Sequence, residues 1–388
     1  MQISPNKRSA HSNVATSRSG GLMRWATLLA VAAAEIAQPV SAGDTDQWGK
    51  IYTSSNSAAG NEILILDRSP DGVLTLEGLV STHGLGLGKG LGNQGALALS
   101  SDRHWLFAVN AGSNEISTFN VASGRPVWVA NVASGGIEPI SLTVHDTALF
   151  VLNAGGTNNI AGFRIGNSGQ LTAVSDWSKH LSAPSVGPAE IAFSASGEII
   201  VVTEKATNNI DTFLLDDGAL QGPFVHASSG ATPFGFAFDF RGHLIVSEAF
   251  GGAAGASAVS SYIVSDDSGA MHTVSPSVGD RQSAACWIAI TNNSKYAYAA
   301  NTGSGSISGY RVDDAGRLSL LDGDGKTGVI GAGSGPTDEA LTPGNRYLYT
   351  LAPPIGSVAG FRVGAAGSLS SIGLTGGLPT TATGLIAR

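Results

Sequence analysis

From about residue 50 onward, short runs of apolar and β-branched residues alternate with turns rich in Gly, Asn and Asp. Runs with such boundaries predict β-strands. One pattern recurs seven times: an apolar residue, usually an aromatic residue three positions later, and then a glycine turn. The copies are ILILDRSPDG, ISTFNVASG, IAGFRIGNSG, IDTFLLDDG, VSSYIVSDDSG, ISGYRVDDAG and VAGFRVGAAG. Each copy is predicted to be a strand that ends in a hairpin, where glycine supplies a positive φ.

The spacing of these copies predicts the fold. Their closing glycines are Gly72, Gly124, Gly169, Gly218, Gly269, Gly316 and Gly367, at intervals of 52, 45, 49, 51, 47 and 51 residues. A repeat of roughly 40–50 residues is typical of a β-propeller. We therefore predict an all-β fold, a seven-bladed propeller of four-stranded antiparallel blades around a central channel.

Two further strands precede each hairpin strand. The strand immediately before it is β-branched and aromatic, as in LFVLNAGGTN and YAYAANTGSGS, and the strand before that often begins with Pro, as in PISLTV, PAEIAF and PFGFAF. This innermost strand is missing from the first repeat, and the C-terminal segment PTTATGLIA, residues 379–387, has its pattern. Because open sheet edges invite aggregation, we expect this segment to pair into the first blade and close the ring.

The glycine run GLGLGKGLGNQG, from Gly84 to Gly95, looks like a phosphate-binding loop. A dinucleotide fingerprint requires a helix after the glycines, and no helical periodicity follows Gly95. Nor is this a Walker loop, because Gly90 rather than Ser or Thr follows Lys89. We interpret the run as the connection between two blades near the channel mouth, where its amides or Lys89 could still contact a ligand.

The N-terminus predicts export. Arg24 precedes a short apolar run, and Val40-Ser41-Ala42 is a small-residue cleavage pattern. Residues 1–42 are thus expected to be a leader, with Met23 as an alternative start, and residues 43–388 a single propeller domain in the periplasm or outside the cell. Beyond the N-terminus no apolar run is long enough to span a membrane.

Charge and cysteine content narrow the classes of partner. The formal charge of −8 becomes −11 without residues 1–42, because four basic side chains and one acidic side chain are lost. An acidic surface repels phosphate backbones, which argues against nucleic acid as a partner. The single cysteine, Cys286, excludes an internal disulfide, and its apolar strand indicates a buried, inert thiol.

These segments resemble the lactonase-type seven-bladed propellers, which include bacterial propeller-type 6-phosphogluconolactonases and fungal carboxymuconate cyclases. The resemblance runs from Lys50 to the C-terminus. It is best in PAEIAFSASGEIIVVTEKATNNIDTF, AACWIAITNNSKYAYAANTGSGSISGYRV and PTDEALTPGNRYLYTL. It implies the propeller fold and a ligand pocket at the channel.

The resemblance also implies which site residues this chain keeps. Lactonase members carry Arg and His at the start of an inner strand, where this chain has Pro188-Ala189-Glu190. The Glu on their following turn is matched by Glu204. An acidic residue on a later inner strand is replaced by Trp287, and the Arg on the turn after that by Asn301-Thr302. The resemblance therefore implies a pocket that lacks most of the usual cationic lining.

We expect the ligand site at the channel mouth, where inner strands begin and second strands end. Glu204 is the first candidate, as a general base for water, with Lys205 or Arg281 stabilising an oxyanion. The alternative is that Glu204 pairs with a basic residue at a surface turn. Trp287 either stacks on a ligand or fills the channel. The other predicted ligand-binding residues are Glu190, Glu248, Asp338, Asn110, Asn153 and Asn301, although turn asparagines also commonly satisfy backbone groups.

No cofactor is expected from the sequence. A metal site is a weaker alternative, in which Glu190, Asp338 and Glu339 would form an acidic ring suited to Ca²⁺. The repeat does not require these carboxylates to share one coordination sphere.

Two functions remain open at this point. One is an exported hydrolase or isomerase of a lactone or cyclic ester. The other is a non-catalytic propeller that binds a small ligand or a protein at the same mouth, since a fold does not fix a function.

Overall fold

The structure of this protein is a computed structural model, and it describes residues 47–388. The predicted leader, residues 1–42, and its cleavage pattern lie outside the described residues. Residues 47–388 form seven antiparallel sheets. Two single-turn 3₁₀ helices, Phe250–Gly252 and Pro353–Ile355, are the only helices in this range. No helix within it has the length and apolarity to cross a membrane.

The blades are numbered in chain order. Blade 1 contains β1 (Gly49–Ser54), β2 (Glu62–Arg68), β3 (Leu74–Ser81) and, as its inner strand, the last strand of the chain. Blade 2 contains β4 (Leu97–Leu99), β5 (Trp105–Asn110), β6 (Glu115–Asn120) and β7 (Val127–Ala133). Blade 3 contains β8 (Pro139–His145), β9 (Ala148–Asn153), β10 (Asn159–Ile165) and β11 (Leu171–His180). Blade 4 contains β12 (Pro188–Phe193), β13 (Ile199–Glu204), β14 (Asn209–Asp216) and β15 (Ala219–Ala227).

The remaining blades follow the same order. Blade 5 contains β16 (Pro233–Phe238), β17 (His243–Glu248), β18 (Ala258–Val264) and β19 (Met271–Gly279). Blade 6 contains β20 (Ala285–Ile290), β21 (Tyr296–Asn301), β22 (Ser306–Val312), β23 (Leu318–Leu320) and β24 (Gly328–Val329). Blade 7 contains β25 (Glu339–Leu341), β26 (Tyr347–Ala352), β27 (Ser357–Val363) and β28 (Leu369–Gly376), and β29 (Thr383–Ala387) returns to blade 1.

Blade 6 differs from the predicted four-strand pattern at its outer edge. Both β23 and β24 pair with β22, so the fourth strand is split into two short pieces. The intervening segment contains a turn in which Gly325 has a φ of +74°. The other blades have four strands each.

The predicted ring closure is confirmed. β29 pairs antiparallel with β1, and Ile51, Tyr52 and Thr53 lie opposite Ala387, Ile386 and Leu385. Backbone bonds between Lys50 and Arg388 extend the pairing, at 2.8 and 3.1 Å. The first blade is therefore completed by the end of the chain.

Packing between blades forms the core. The two faces of each blade carry apolar side chains, and each of the seven neighbouring pairs of blades encloses its own buried cluster. The cluster between blades 3 and 4, for example, includes Phe150, Trp177 and Phe213, all 0–1% exposed. Blade-to-blade connections lie on one face of the ring, called the top face here. Hairpins between third and fourth strands lie on the opposite, bottom face.

Candidate functional site

The centre of the ring is filled by residues 93–95, which we call the plug. The carbonyl of Asn93 accepts a hydrogen bond from Trp287 Nε1 at 2.7 Å. Its side chain donates to the carbonyl of Ile140 and accepts from Thr383 Oγ1 at 3.3 Å. One residue of the plug is thus bonded to blades 1, 3 and 6.

Gln94 and Gly95 extend the plug to the other blades. Gln94 donates its N–H to Ala189 of blade 4, and its side chain exchanges two 3.0 Å hydrogen bonds with the backbone of Ile288 in blade 6. Its Nε2 also lies 3.5 Å from the carbonyl of Phe236 in blade 5. Gly95 bonds to Leu142 at 2.8 Å and to Asp338 at 3.4 Å. The plug therefore contacts all six other blades before the chain enters β4.

This position explains the glycine run. A strand rather than a helix follows Gly95, as predicted, and the run connects blades 1 and 2. The sequence did not reveal that the connection dips into the channel. One signal was present: Gly235 is a glycine where the matching inner-strand positions carry Ser141, Glu190, Trp287 and Asp338. A methyl group at Gly235 would overlap Gln94 Oε1, so the missing side chain makes room for the plug.

The matching inner-strand residues hold neighbouring blades together. Ser141 Oγ accepts from the N–H of Ile191 at 3.2 Å, and Glu190 Oε2 accepts from the N–H of Phe236 at 2.5 Å. Asp338 Oδ2 accepts from the N–H of Gly384 at 2.9 Å. Each bond joins one blade to the next around the axis. Glu190 and Asp338 were predicted to bind a ligand, and both have this structural role.

Burial changes the acidity of these channel carboxyls. It raises the pKa of Glu190 well above its ordinary range, and the nearby Asp338 acts in the same direction. Burial also raises the pKa of Asp338 to about 6, partly offset by the amides of Gly384 and Gly95. Glu339 is buried too, and within residues 47–388 its two oxygens have no hydrogen-bond partner. Burial raises the pKa of Glu339 well above its ordinary range, and the nearby Asp338 acts in the same direction.

The acidic residues do not form a metal centre. Across the described residues, no group of three or more His, Cys, Asp or Glu side chains is arranged to hold an ion. The geometry of Glu190, Asp338 and Glu339 thus gives no support to the calcium alternative.

Glu204 does not lie at the open channel mouth. Its side chain is 0% exposed and packs between blades 3 and 4. Its carboxylate accepts hydrogen bonds from the N–H and Oγ of Ser182, at 3.1 and 2.6 Å, and from Thr207 Oγ1 at 2.5 Å. Asp211 shares this site, and burial together with Glu204 raises the pKa of Asp211 to about 8. This placement corrects both sequence-based alternatives, because Glu204 is buried rather than open to the mouth, and among residues 47–388 no salt bridge pairs it with a basic residue.

The equivalent residues of other blades have the same structural role. Glu248, Asn110, Asn153 and Asn301 are all 0% exposed at the ends of second strands. Glu248 accepts from the N–H of Gly230 at 2.8 Å. Asn110 accepts from Thr82 Oγ1 at 2.8 Å, and Asn153 donates to the carbonyl of Ser134 at 3.3 Å. Each of these three bonds fastens the incoming connection to its blade, while Asn301 donates to Ser308 Oγ within its own blade.

Lys205, one residue beyond Glu204, does reach the channel mouth. Its Nζ lies 4.7 Å from the ring centroid of Phe234 and donates to the carbonyl of Gly92, just before the plug. The ring of Trp287 is 5.1 Å from that of Phe234. Burial lowers the pKa of Lys205 to about 8. The mouth thus combines one amine of lowered pKa with two aromatic rings.

The other reactive side chains do not join this group. Cys286 is buried beside the mouth, and burial raises the pKa of its thiol to about 11, consistent with an inert thiol. Arg281 is exposed on the connection between blades 5 and 6. Within residues 47–388, no hydrogen bond or ion pair joins it to Glu204 or Lys205. Of the predicted catalytic set, Lys205 is the residue whose contacts, with Phe234 and Gly92, place it at the mouth.

Residues 59–184 match a family model described as lactonase, seven-bladed β-propeller. No curated protein sequence matches this chain significantly. Among solved structures, the periplasmic gluconolactonase PpgL of Pseudomonas aeruginosa is 15% identical, with a TM-score of 0.69, and the match covers 88% of this chain and 99% of that one. A 6-phosphogluconolactonase candidate from Bacteroides fragilis NCTC 9343 is 17% identical, with a TM-score of 0.70, over 88% and 98% of the two chains. The resemblance to lactonase-type propellers and the propeller fold are confirmed.

Proposed function

We propose that this chain hydrolyses a lactone or a similar cyclic ester at the top mouth of the channel, with Lys205 as general base and acid. The observation that carries the proposal is the position of Lys205 Nζ over Phe234 and against the carbonyl of Gly92. The family match and the propeller-type gluconolactonase among the solved structures support the class of substrate.

The chemistry follows from the pKa of this amine. A general base works best when its pKa lies near the working pH, and burial brings Lys205 to about 8. The neutral amine takes a proton from water as the water oxygen attacks the lactone carbonyl carbon. The ring C–O bond then breaks, and the ammonium returns the proton to the departing alkoxide. The rings of Phe234 and Trp287, 8% and 5% exposed, lie beside this amine, and the substrate ring would pack on their accessible edge.

Export is part of this proposal. It is supported by the N-terminal pattern in residues 24–42 and by the likeness to a periplasmic gluconolactonase. Isomerisation of a cyclic ester would use the same amine for proton transfer.

Turnover of a panel of neutral and sugar lactones by the purified chain tests the proposal. We expect the rate to rise with pH up to about 8 and then level off, because only the neutral amine can accept the proton. Lys205→Met, which keeps the apolar stem, should lower kcat/KM by about 100-fold or more. Lys295→Met, at an exposed lysine on the bottom face, and Glu204→Gln should retain most activity, since neither residue lies at the mouth.

Absence of turnover, or turnover that Lys205→Met leaves intact, would reject the catalytic proposal. A second candidate, a non-catalytic propeller that binds a ligand at the mouth, is favoured by one observation. The plug and Trp287 close the channel axis beneath Lys205. Lactone binding without hydrolysis would support that candidate.

A further inference from the structure

The bottom face carries a second cleft, which opens where the inner strands of blades 4, 5 and 6 end. It has a volume of about 590 Å³, within the usual range for small-molecule sites. Gln94 of the plug lies in its wall, and the plug separates it from the mouth at Lys205. Its main lining side chains are Gln94, Glu190, Phe193, Phe236, Phe238 and Phe240.

Glu190 is one of the polar side chains that line this bottom cleft, together with Gln94, Asp239, Thr291 and Asn292. Its side chain is only 6% exposed and lines the cleft. Oε2 accepts the hydrogen bond from Phe236, and within residues 47–388 no hydrogen bond involves Oε1. Burial in such surroundings raises the pKa of this carboxyl group and favours its protonated form. In that form it offers one O–H donor, while Oε2 remains engaged with the neighbouring blade.

The charged groups around the bottom cleft disfavour an anionic ligand. Asp338 faces it in the channel, and Asp239 lies at the rim of the cleft. The oxygens of Asp239 are occupied by His243 Nδ1 at 3.0 Å and by the N–H groups of Arg241 and His243 at 2.9 Å. Neither lysine nor arginine is among the residues that line the cleft. Arg241 lies beside the rim, with its guanidinium 5.4 Å from the ring centroid of Phe240, and its charge is paired with Asp239 at 3.8 Å and Asp314 at 2.9 Å.

The phenylalanine side chains that line the cleft favour a flat, apolar ligand. Phe193 and Phe236 are 8% and 1% exposed, whereas Phe240 at the rim is 66% exposed. An exposed aromatic ring beside a cleft, above a buried carboxyl group, is the arrangement of an apolar ligand site with an orienting hydrogen bond. In its protonated form the carboxyl group of Glu190 donates to an acceptor on the ligand, such as a carbonyl oxygen.

We propose that this bottom cleft binds a neutral, flat cyclic molecule whose carbonyl oxygen accepts a hydrogen bond from Glu190 and whose ring packs on Phe240. The site is independent of the proposed hydrolysis, because it opens on the opposite face from Lys205.

Binding of three aromatic probes of similar size tests the charge and shape of the ligand. The probes are 1-indanone, benzylammonium and benzoate, measured by calorimetry and saturation-transfer NMR with the full chain. 1-Indanone is a flat cyclic ketone with no ester bond, so it is not a substrate for the proposed hydrolysis. We expect 1-indanone to bind at pH 6 and the two ions to bind at least about tenfold more weakly. Binding of 1-indanone should weaken as pH rises, because ionisation of Glu190 removes the donor. Tighter binding of benzylammonium than of 1-indanone would overturn the neutral-ligand proposal in favour of a cation site.

Variants locate the probe. Phe240→Ala should weaken 1-indanone binding about five- to tenfold, and Phe224→Ala, at a 38% exposed phenylalanine outside the cleft, should not. Glu190→Gln keeps an acceptor for Phe236 and a neutral donor, so it should bind 1-indanone with little dependence on pH. Lys205→Met should bind 1-indanone normally. Equal binding by Phe240→Ala and the parent chain, or loss of binding in Lys205→Met, would refute the bottom site.

Discussion

Glu204 and Asp211 share one buried site between blades 3 and 4, where the N–H of Ser182 lies 3.1 Å from the first carboxyl and 2.9 Å from the second. Two ionised carboxylates so close together would repel each other in a medium of low polarity. Burial and Glu204 therefore raise the pKa of Asp211 to about 8, and one of the two groups keeps its proton at neutral pH. At the scale of single residues, these two buried acids hold the connection at Ser182 in place by hydrogen bonds.

This pair predicts a dependence of stability on pH. The pKa of Asp211 is about 8 when folded and about 3.9 when unfolded. The protonated form is thus favoured by folding, and its contribution is complete below pH 4 and is lost as pH rises to 8. The side chain of Asp211→Asn stays neutral at both pH values. Between pH 5 and pH 8.5 the free energy of unfolding of this variant should therefore fall by roughly 1–3 kcal/mol less than that of the parent protein. Urea unfolding at the two pH values measures this.

Asp217→Asn is the matched control, because Asp217 is exposed on a hairpin of the same blade and has a φ of +45°, which Asn tolerates. The free energy of unfolding of Asp217→Asn should equal that of the parent protein at both pH values. Parallel stability curves for Asp211→Asn and the parent would contradict the assignment.

At the scale of the element, the hairpin glycines do more than turn the chain. All seven have positive φ, between 67° and 93°. Six also present their carbonyl to a donor of the preceding blade. The donors are Tyr349 to Gly72, Tyr52 to Gly124, Trp177 to Gly218, Thr212 to Gly269, Ser261 to Gly316 and Tyr298 to Gly367, at 2.6–3.0 Å. Six of the seven hairpins thus carry a hydrogen bond between blades, which the repeat alone did not reveal.

Two of these glycines separate backbone strain from packing. Gly218 has a φ of +80° and open space where a Cβ would lie. Gly367 has a φ of +82°, but a Cβ there would come within 2.5 Å of the ring of Tyr296. Gly218→Ala should cost about 1–2 kcal/mol for the left-handed conformation. Gly367→Ala should cost about 1–3 kcal/mol more, because the ring must move. Chemical unfolding measures the loss of stability in both variants. Equal losses would show that the ring of Tyr296 moves aside at no cost in free energy.

At the scale of the whole molecule, the ring depends on pairing between its two ends. β29 supplies the inner strand of blade 1, and its Leu385 and Ala387 join Ile51 in the cluster shared with blade 7. Without β29 the edge of β1 would be open along the channel. An open edge of this kind recruits other chains.

A chain that ends at Gly377 tests this closure. It should unfold at lower denaturant concentration and form oligomers, because the edge of β1 and the cluster with blade 7 are uncovered. A synthetic peptide of residues 378–388 should restore the monomer. The chain that lacks only Arg388 keeps the four paired residues and serves as the control. Size-exclusion chromatography with light scattering measures the outcome, and a stable truncated monomer would contradict the role of β29.

The sequence by itself determined the number of blades, the strand order, the hairpin glycines and the closing segment. Each of these depends on local signals repeated at a fixed spacing, so the strand pattern of one blade predicts that of the next. The likeness to lactonase-type propellers came from the same repeated segments. The location of the candidate chemistry was only partly predictable: Lys205 lies at the mouth, whereas Glu204 is buried one strand away from the channel.

The tertiary structure alone decided what fills the channel and which side chains remain accessible. Trp287 and Asn93 are 194 residues apart and meet only because the ring brings blade 6 to the connection between blades 1 and 2. The burial of Glu204 and the cleft below Glu190 depend in the same way on neighbouring blades. Side-chain ionisation and access are set by neighbours in space, and a repeat in the sequence specifies the strands but not the atoms that surround each side chain.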